Sequence, residues 1–228
     1  MNRTLAVARI HLMDRANALI VPWIVLAASF TVNVILWMLI PEAGPNGSGG
    51  IISLYALGVA MIVVLVGRGL PFQLGLGVTR REFLGGTVLL VAGFSLACAI
   101  ALTGLNFLER ATDGFGLQGH FFRAPWFTAV PDGQLVAIYA LPMVFFLGVG
   151  MLYAALWSRY KLVGSVTLTV ALAFVVVGLI AVITWRDGWP GVGHWFTTLA
   201  PLPAVGILGA LGAVSIAGAW LTLRRAPV

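Results

Sequence analysis

Six long apolar runs alternate with short connections along the chain, at roughly 18–40, 51–67, 83–108, 135–157, 162–184 and 199–221. No Asp, Glu, Lys or Arg lies inside any of them. A helix rises about 1.5 Å per residue, so a run of this length crosses about 30 Å of hydrocarbon. The second run is the shortest and extends through Gly69 and Leu70 if Arg68 snorkels to the interface. None alternates residue by residue, as the strands of a transmembrane barrel would. The pattern predicts an all-α integral membrane protein with six transmembrane helices in a single domain over 18–228.

Composition narrows the class further. Of 228 residues, 61% are hydrophobic and 9% charged, whereas a soluble domain is about 45–50% apolar and about 25% charged. So few charges cannot cover a soluble globule, which argues against a soluble enzyme, a secreted domain or a disordered chain. At about 20 residues per span plus loops, the length holds roughly five to seven helices. A single cysteine excludes a disulfide framework and a thiolate metal cluster. The net charge of +6 is scattered between apolar runs and not gathered on one face, so nucleic acid is not an expected partner.

The charges do set a direction. One group of connections carries Arg3, Arg9, Arg15, Arg68, Arg80, Arg81, Arg159, Lys161, Arg224 and Arg225, and the other only Arg110, Arg123 and Arg186. The acids divide oppositely: Asp14 and Glu82 against Glu42, Glu109, Asp113, Asp132 and Asp187. Basic short loops stay in the cytoplasm, so both termini are expected there, in a bacterial plasma membrane. The first run is longer than a signal-peptide core and lacks a small-x-small cleavage site, so it reads as an uncleaved span. Neither Asn2 nor the terminal Arg-Ala-Pro-Val fits a lipidation signal.

The connections differ in character. Residues 1–17, with Leu5, Val7, Ala8 and Leu12 against Arg3, Arg9, Asp14 and Arg15, read either as an amphipathic helix on the membrane or as a plain basic flank. The loop at 41–50 is rich in Gly and Pro and forms a flexible external turn. Residues 109–134 carry Phe115, Phe121, Phe122, Trp126 and Phe127, and too many breakers to span; they lie flat at the outer interface or dip in. Residues 185–198 repeat this on a smaller scale with Trp185, Trp189 and Trp195. An aromatic belt explains both segments, and a gate is the alternative. In the last run Gly206, Gly209, Ala210, Ala213 and Ala217 allow close helix approach, within the chain or at a dimer face.

Several chemistries lack their residues. The only lysine is Lys161, outside any phosphate-binding Gly-x-x-x-x-Gly-Lys-Ser/Thr motif, so ATP hydrolysis is not expected of this chain. No Ser–His pair or aspartate pair lies within the runs for intramembrane proteolysis, and no closely spaced ligands for zinc. The runs hold no ionisable residue of the kind a proton-coupled transporter keeps. Their polar residues Asn33, Ser95, Asn106, Thr167 and Thr169 serve either as helix-to-helix hydrogen bonds or as contacts along a substrate pathway. Glu109, Asp113 and His120 are the candidates for a lipid-modifying enzyme, although a solvated polar loop explains them equally.

The connection at 68–82, Arg-Gly-Leu-Pro-Phe-Gln-Leu-Gly-Leu-Gly-Val-Thr-Arg-Arg-Glu, is long and semi-apolar for a mere linker. It predicts a short helix lying against the cytoplasmic face, followed by Thr79 as N-cap with Glu82 three residues on, and then the third span. From Pro71 to Phe83 it resembles the cytoplasmic signature of ABC transporter permeases of the type 2 exporter superfamily, which also have six spans and cytoplasmic termini.

The resemblance implies a transport subunit, not an enzyme, that pairs with a second permease copy or close relative. Two copies of a separate ABC ATPase subunit would carry ATP and Mg. A coupling helix would dock there through Phe72, Leu74 and Leu76, with Thr79, Arg80, Arg81 and Glu82 completing the docking segment. A hydrophobic or amphipathic substrate would then be exported by alternating access. The alternative of another class is a substrate-capturing module of an energy-coupling importer. Such modules also have about six spans and no ATP motif, but dock through their first span.

Overall fold

The computed structural model describes residues 20–39, 46–47, 49–123 and 130–224. The expected interfacial helix at 1–17, most of the 41–50 loop, Arg225, Trp126 and Phe127 lie outside the described residues. Helices dominate: α1 Val21–Leu39, α2 Ile52–Gly75, α3 Arg80–Ala111, α4 Leu135–Trp185, α5 Trp189–Thr198 and α6 Pro201–Arg224. Two dipeptides, β1 Asn46–Gly47 and β2 Gly119–His120, pair in parallel. Long apolar runs become helices because a helix satisfies its own backbone where no water can.

Five helical stretches are long and apolar enough to cross a membrane: Val21–Leu39, Ile52–Gly75, Arg80–Ala111, Asp132–Gly164 and Pro201–Arg224. A sixth arises only if Thr169–Trp185 and Trp189–Trp195, bent by 109° to one another, count as one span. The expected fourth and fifth runs, 135–157 and 162–184, are both helical and meet at a sharp break. They form α4, interrupted at Lys161 (φ 55°, ψ −145°). Nothing in Arg159-Tyr160-Lys161 stops a helix as Gly or Pro would, so a single residue in a rare conformation makes the turn.

The first half of α4 is the hub. A methyl added to Gly58 of α2 would meet Leu147 at 3.2 Å, and one on Gly150 would meet Ile62 at 2.5 Å. On its other side, a methyl on Gly148 would stand 2.6 Å from the carbonyl oxygen of Gly212, and one on Gly209 2.7 Å from Leu141. Small residues let these backbones approach, as is usual where helices associate in lipid. Ile62, Phe83, Leu102, Leu147 and Met151 are fully buried around this hub.

The order of these contacts fixes direction. Leu141, Phe145 and Leu152 of α4 face Gly209, Gly212 and Gly218 of α6 in turn, so α4 and α6 run parallel. The chain between them must return along the whole length of the bundle. It does so while packing on almost nothing: from 156 to 204 no described residue is buried. The helix beyond Lys161 is apolar and most of its described side chains are exposed, with Phe174 74% and Val163 77% exposed.

Candidate functional site

Charge collects at one end of the bundle. The α3 start meets the α6 end, where an Arg80 Nη1 donates to the carbonyls of Leu223 (3.3 Å) and Arg224 (3.4 Å). Because α2 and α4 are parallel, Arg68, Arg81, Arg159 and Lys161 share this end.

Thr79 shapes the turn that enters α3. Its backbone N–H donates to Glu82 Oε2 at 2.9 Å, and the Glu82 N–H returns to Thr79 Oγ1 at 3.3 Å. This is the capping box that the Thr-x-x-Glu spacing predicts. Ahead of it, the separate surface helix expected at 68–82 does not form. Residues through Gly75 prolong α2, with Pro71 inside the helix. Pro71 has no N–H to donate, so the helix continues past it without the bond to the Gly67 carbonyl.

The proposed wedge therefore divides. Phe72 and Leu76 are each 63% exposed, while Leu74 turns inward against the core. Arg80 is engaged with the α6 carbonyls, and Arg81 is exposed. Thr79 and Glu82 are occupied in the cap.

The five candidate pathway residues do not converge. Asn33 donates to the Ser29 carbonyl on its own helix at 2.8 Å, and Thr167 to Val163 at 2.8 Å. Thr169 is exposed on the same segment as Thr167, beyond Lys161. Ser95 and Asn106 are both buried in α3, about three turns apart. Asn106 Nδ2 donates to the Tyr139 hydroxyl at 2.9 Å, which makes it a helix-to-helix contact. The small-residue stripe also splits: Gly209 faces α4, whereas Ala210, Ala213 and Ala217 are exposed and Gly206 has open space. Gly148 and Gly212, which make the closest approach, were not singled out by the spacing.

The opposite end holds what sequence reasoning missed. Glu109 is no solvated loop residue: it belongs to α3 and is 2% exposed. Its Oε2 accepts from the N–H groups of Phe121 (3.0 Å) and Phe122 (2.7 Å), and Oε1 from Arg123 (3.1 Å). His120 Nδ1 stands 3.8 Å from Oε1. The Tyr139 hydroxyl donates to the Phe122 carbonyl at 2.6 Å, and Tyr55 to the Tyr139 carbonyl at 3.3 Å. Phe30 of α1 packs against Phe115, Phe121 and Phe122 at 4.9–5.7 Å between centroids. The segment after α3 thus folds back and plugs into the bundle end, with Phe121 and Phe122 buried. Arg110 pairs with Asp132 beside it. Among the described residues, no three His, Cys, Asp or Glu side chains gather as metal ligands would.

No known protein family, curated protein or solved structure matches this chain. The chain is a multi-pass membrane protein by the number and apolarity of its helices.

Proposed function

We propose that this chain is the membrane-spanning permease subunit of an ATP-driven exporter of the type 2 ABC class. In this reading its arginine-rich end is cytoplasmic and docks a separate ATPase, present in two copies with ATP and Mg bound there. The observation that carries the reading is the exposure of Phe72 and Leu76 at the arginine-rich end, beside a capped turn. Large apolar side chains among arginines lie beyond the acyl chains that would cover them, and suit a hydrophobic groove on a partner.

The geometry supplies a way to transmit force. Gly75 ends α2 and Arg80 begins α3, so a partner gripping Phe72 and Leu76 holds two helices by one short turn. A tilt imposed there passes straight up α2, whose Gly58 and Ile62 pack on α4. Exposed Arg81 is placed to pair with a carboxylate of the partner. The helix beyond Lys161, apolar and with most of its described side chains exposed, leaves surface for a second permease copy. A pathway between two copies would carry a hydrophobic or amphipathic substrate.

The test is co-purification with the ATPase encoded alongside. Phe72→Ser with Leu76→Ser, and separately Arg81→Glu, should each abolish or greatly weaken the association. Undiminished association in both variants overturns the docking reading.

A further inference from the structure

A cavity of about 420 Å³ opens at the arginine-rich end, lined among the described residues by Arg159 at the end of the first half of α4 and by Leu221, Thr222 and Arg224 of α6. We infer that it is a binding site for a phosphate-bearing anion, the head group of a membrane phospholipid or a free phosphate. The inference does not depend on the ATPase reading, since it needs no partner protein.

The donors are in place and their competitors are spent. Arg159 has its guanidinium carbon 4.9 Å from the centre of the Tyr160 ring, which leaves the planar face occupied and the N–H edge for an anion. Arg224 supplies the second guanidinium from the last turn of α6. The ending carbonyls of α6 would repel an anion, but Arg80 donates to those of Leu223 and Arg224 and offsets their partial charge. The Thr222 hydroxyl gives its proton to the Gly218 carbonyl at 2.8 Å, so the two arginines remain as the donors. Among the described residues, no acidic side chain lines the cavity. Glu82 lies at the same end but is bound up in the Thr79 cap.

The walls favour a lipid as the source. Leu221 of the lining is 61% exposed, and Trp157 and Leu162 flank Arg159 with 41% and 62% exposure. A head group seated between the arginines would let its acyl chains run along this apolar surface. Basic pockets between transmembrane helices are suited to such head groups.

Native mass spectrometry of the delipidated full-length chain in detergent tests this, with dioleoyl phosphatidylglycerol, dioleoyl phosphatidylcholine and inorganic phosphate as probes. Phosphatidylglycerol should bind at least about fivefold more tightly than phosphatidylcholine. Arg159→Gln and Arg224→Gln should each weaken it about fivefold and together about 25-fold. Arg68→Gln removes the same charge at the same end but outside the cavity, and should leave binding unchanged. Arg159→Lys with Arg224→Lys keeps the charge and should retain most of the affinity, which separates loss of the site from loss of the fold.

Arginine-dependent binding of phosphatidylglycerol without comparable binding of inorganic phosphate supports the site and identifies a lipid occupant. Equally tight, arginine-dependent binding of inorganic phosphate supports the site with a soluble occupant. Phosphatidylglycerol and phosphate affinities that are the same in the wild type and the double glutamine variant overturn the proposal. A double glutamine variant that loses only the ATPase, with lipid and phosphate binding intact, overturns it in favour of an acidic protein partner.

Discussion

The Oε2 atom of Glu109 lies 2.7 Å from the backbone nitrogen of Phe122, inside the protein and not at its surface. With the neighbouring bonds from Phe121 and Arg123, one carboxylate takes three consecutive amide protons and fixes the fold-back at the end of the bundle. Charge-assisted bonds of this kind are roughly twice as strong as neutral ones.

Glu109→Ala should therefore destabilise the protein by on the order of 3 kcal/mol, because it strands several N–H donors away from water. Glu109→Gln should recover only part of this, since its amide group offers one acceptor oxygen where the carboxylate has two. Thermal unfolding in detergent reads the total loss. Limited proteolysis should show new cleavage near 112–123. Unaltered melting in the alanine variant would mean that the fold-back is held by other contacts.

At the α4–α6 contact, Gly148→Val or Gly212→Val should cost about 2–4 kcal/mol or prevent folding, because the obstacle on the other side is backbone. Gly206→Ala, which meets open space, should leave the melting temperature within about a degree or two. Equal effects at Gly206 and Gly212 would contradict the packing described.

The Thr79 cap predicts a smaller, local effect. Thr79→Ala should cost about 1 kcal/mol and raise amide hydrogen exchange in the first turn of α3, at 80–83. Thr79→Ser should behave nearly as wild type. No change in exchange at 80–83 in the alanine variant would show that the box contributes nothing to that turn.

Exposure separates the residues of the turn ahead of α3. Leu74→Ser should lower stability by about 1–2 kcal/mol, because the side chain packs against the core. Phe72→Ser and Leu76→Ser should be neutral or nearly so in the isolated chain, as both side chains stand outward. Comparing melting temperatures of the three variants checks this. A large loss at Phe72 would argue for an intrachain role in place of a docking one.

How much of this was legible in the sequence follows from the range of the interactions. The apolar runs declare themselves because lipid punishes every exposed backbone group, and helix is the local answer. The Thr79–Glu82 box is legible for the same reason, since both partners lie within one turn. Glu109 was not legible, because its partners are 12–14 residues away, across a turn with Asp113 and Phe115 at positive φ. A reading by local charge leaves it in a polar loop. The continuation of α2 through Pro71 was hidden for a different reason: Gly67 and Pro71 each signal a break, yet the helix runs on to Gly75. The stripe of small residues in α6 was visible, but small residues occupy more than one face there. Only the neighbour decides that Gly209 and Gly212 pack while Ala210 and Ala213 do not.

The parallel pairing of α4 with α6 has a consequence in time. A ribosome delivers the first half of α4 first, then some forty residues of which none described is buried, and only then the helix whose glycines fit it. Until that late segment is inserted, the Gly148 face of α4 waits without Gly212 as its match. Assembly of the hub is thereby gated by α6, so a nascent chain halted near residue 200 would hold an incomplete hub that quality-control proteases could recognise.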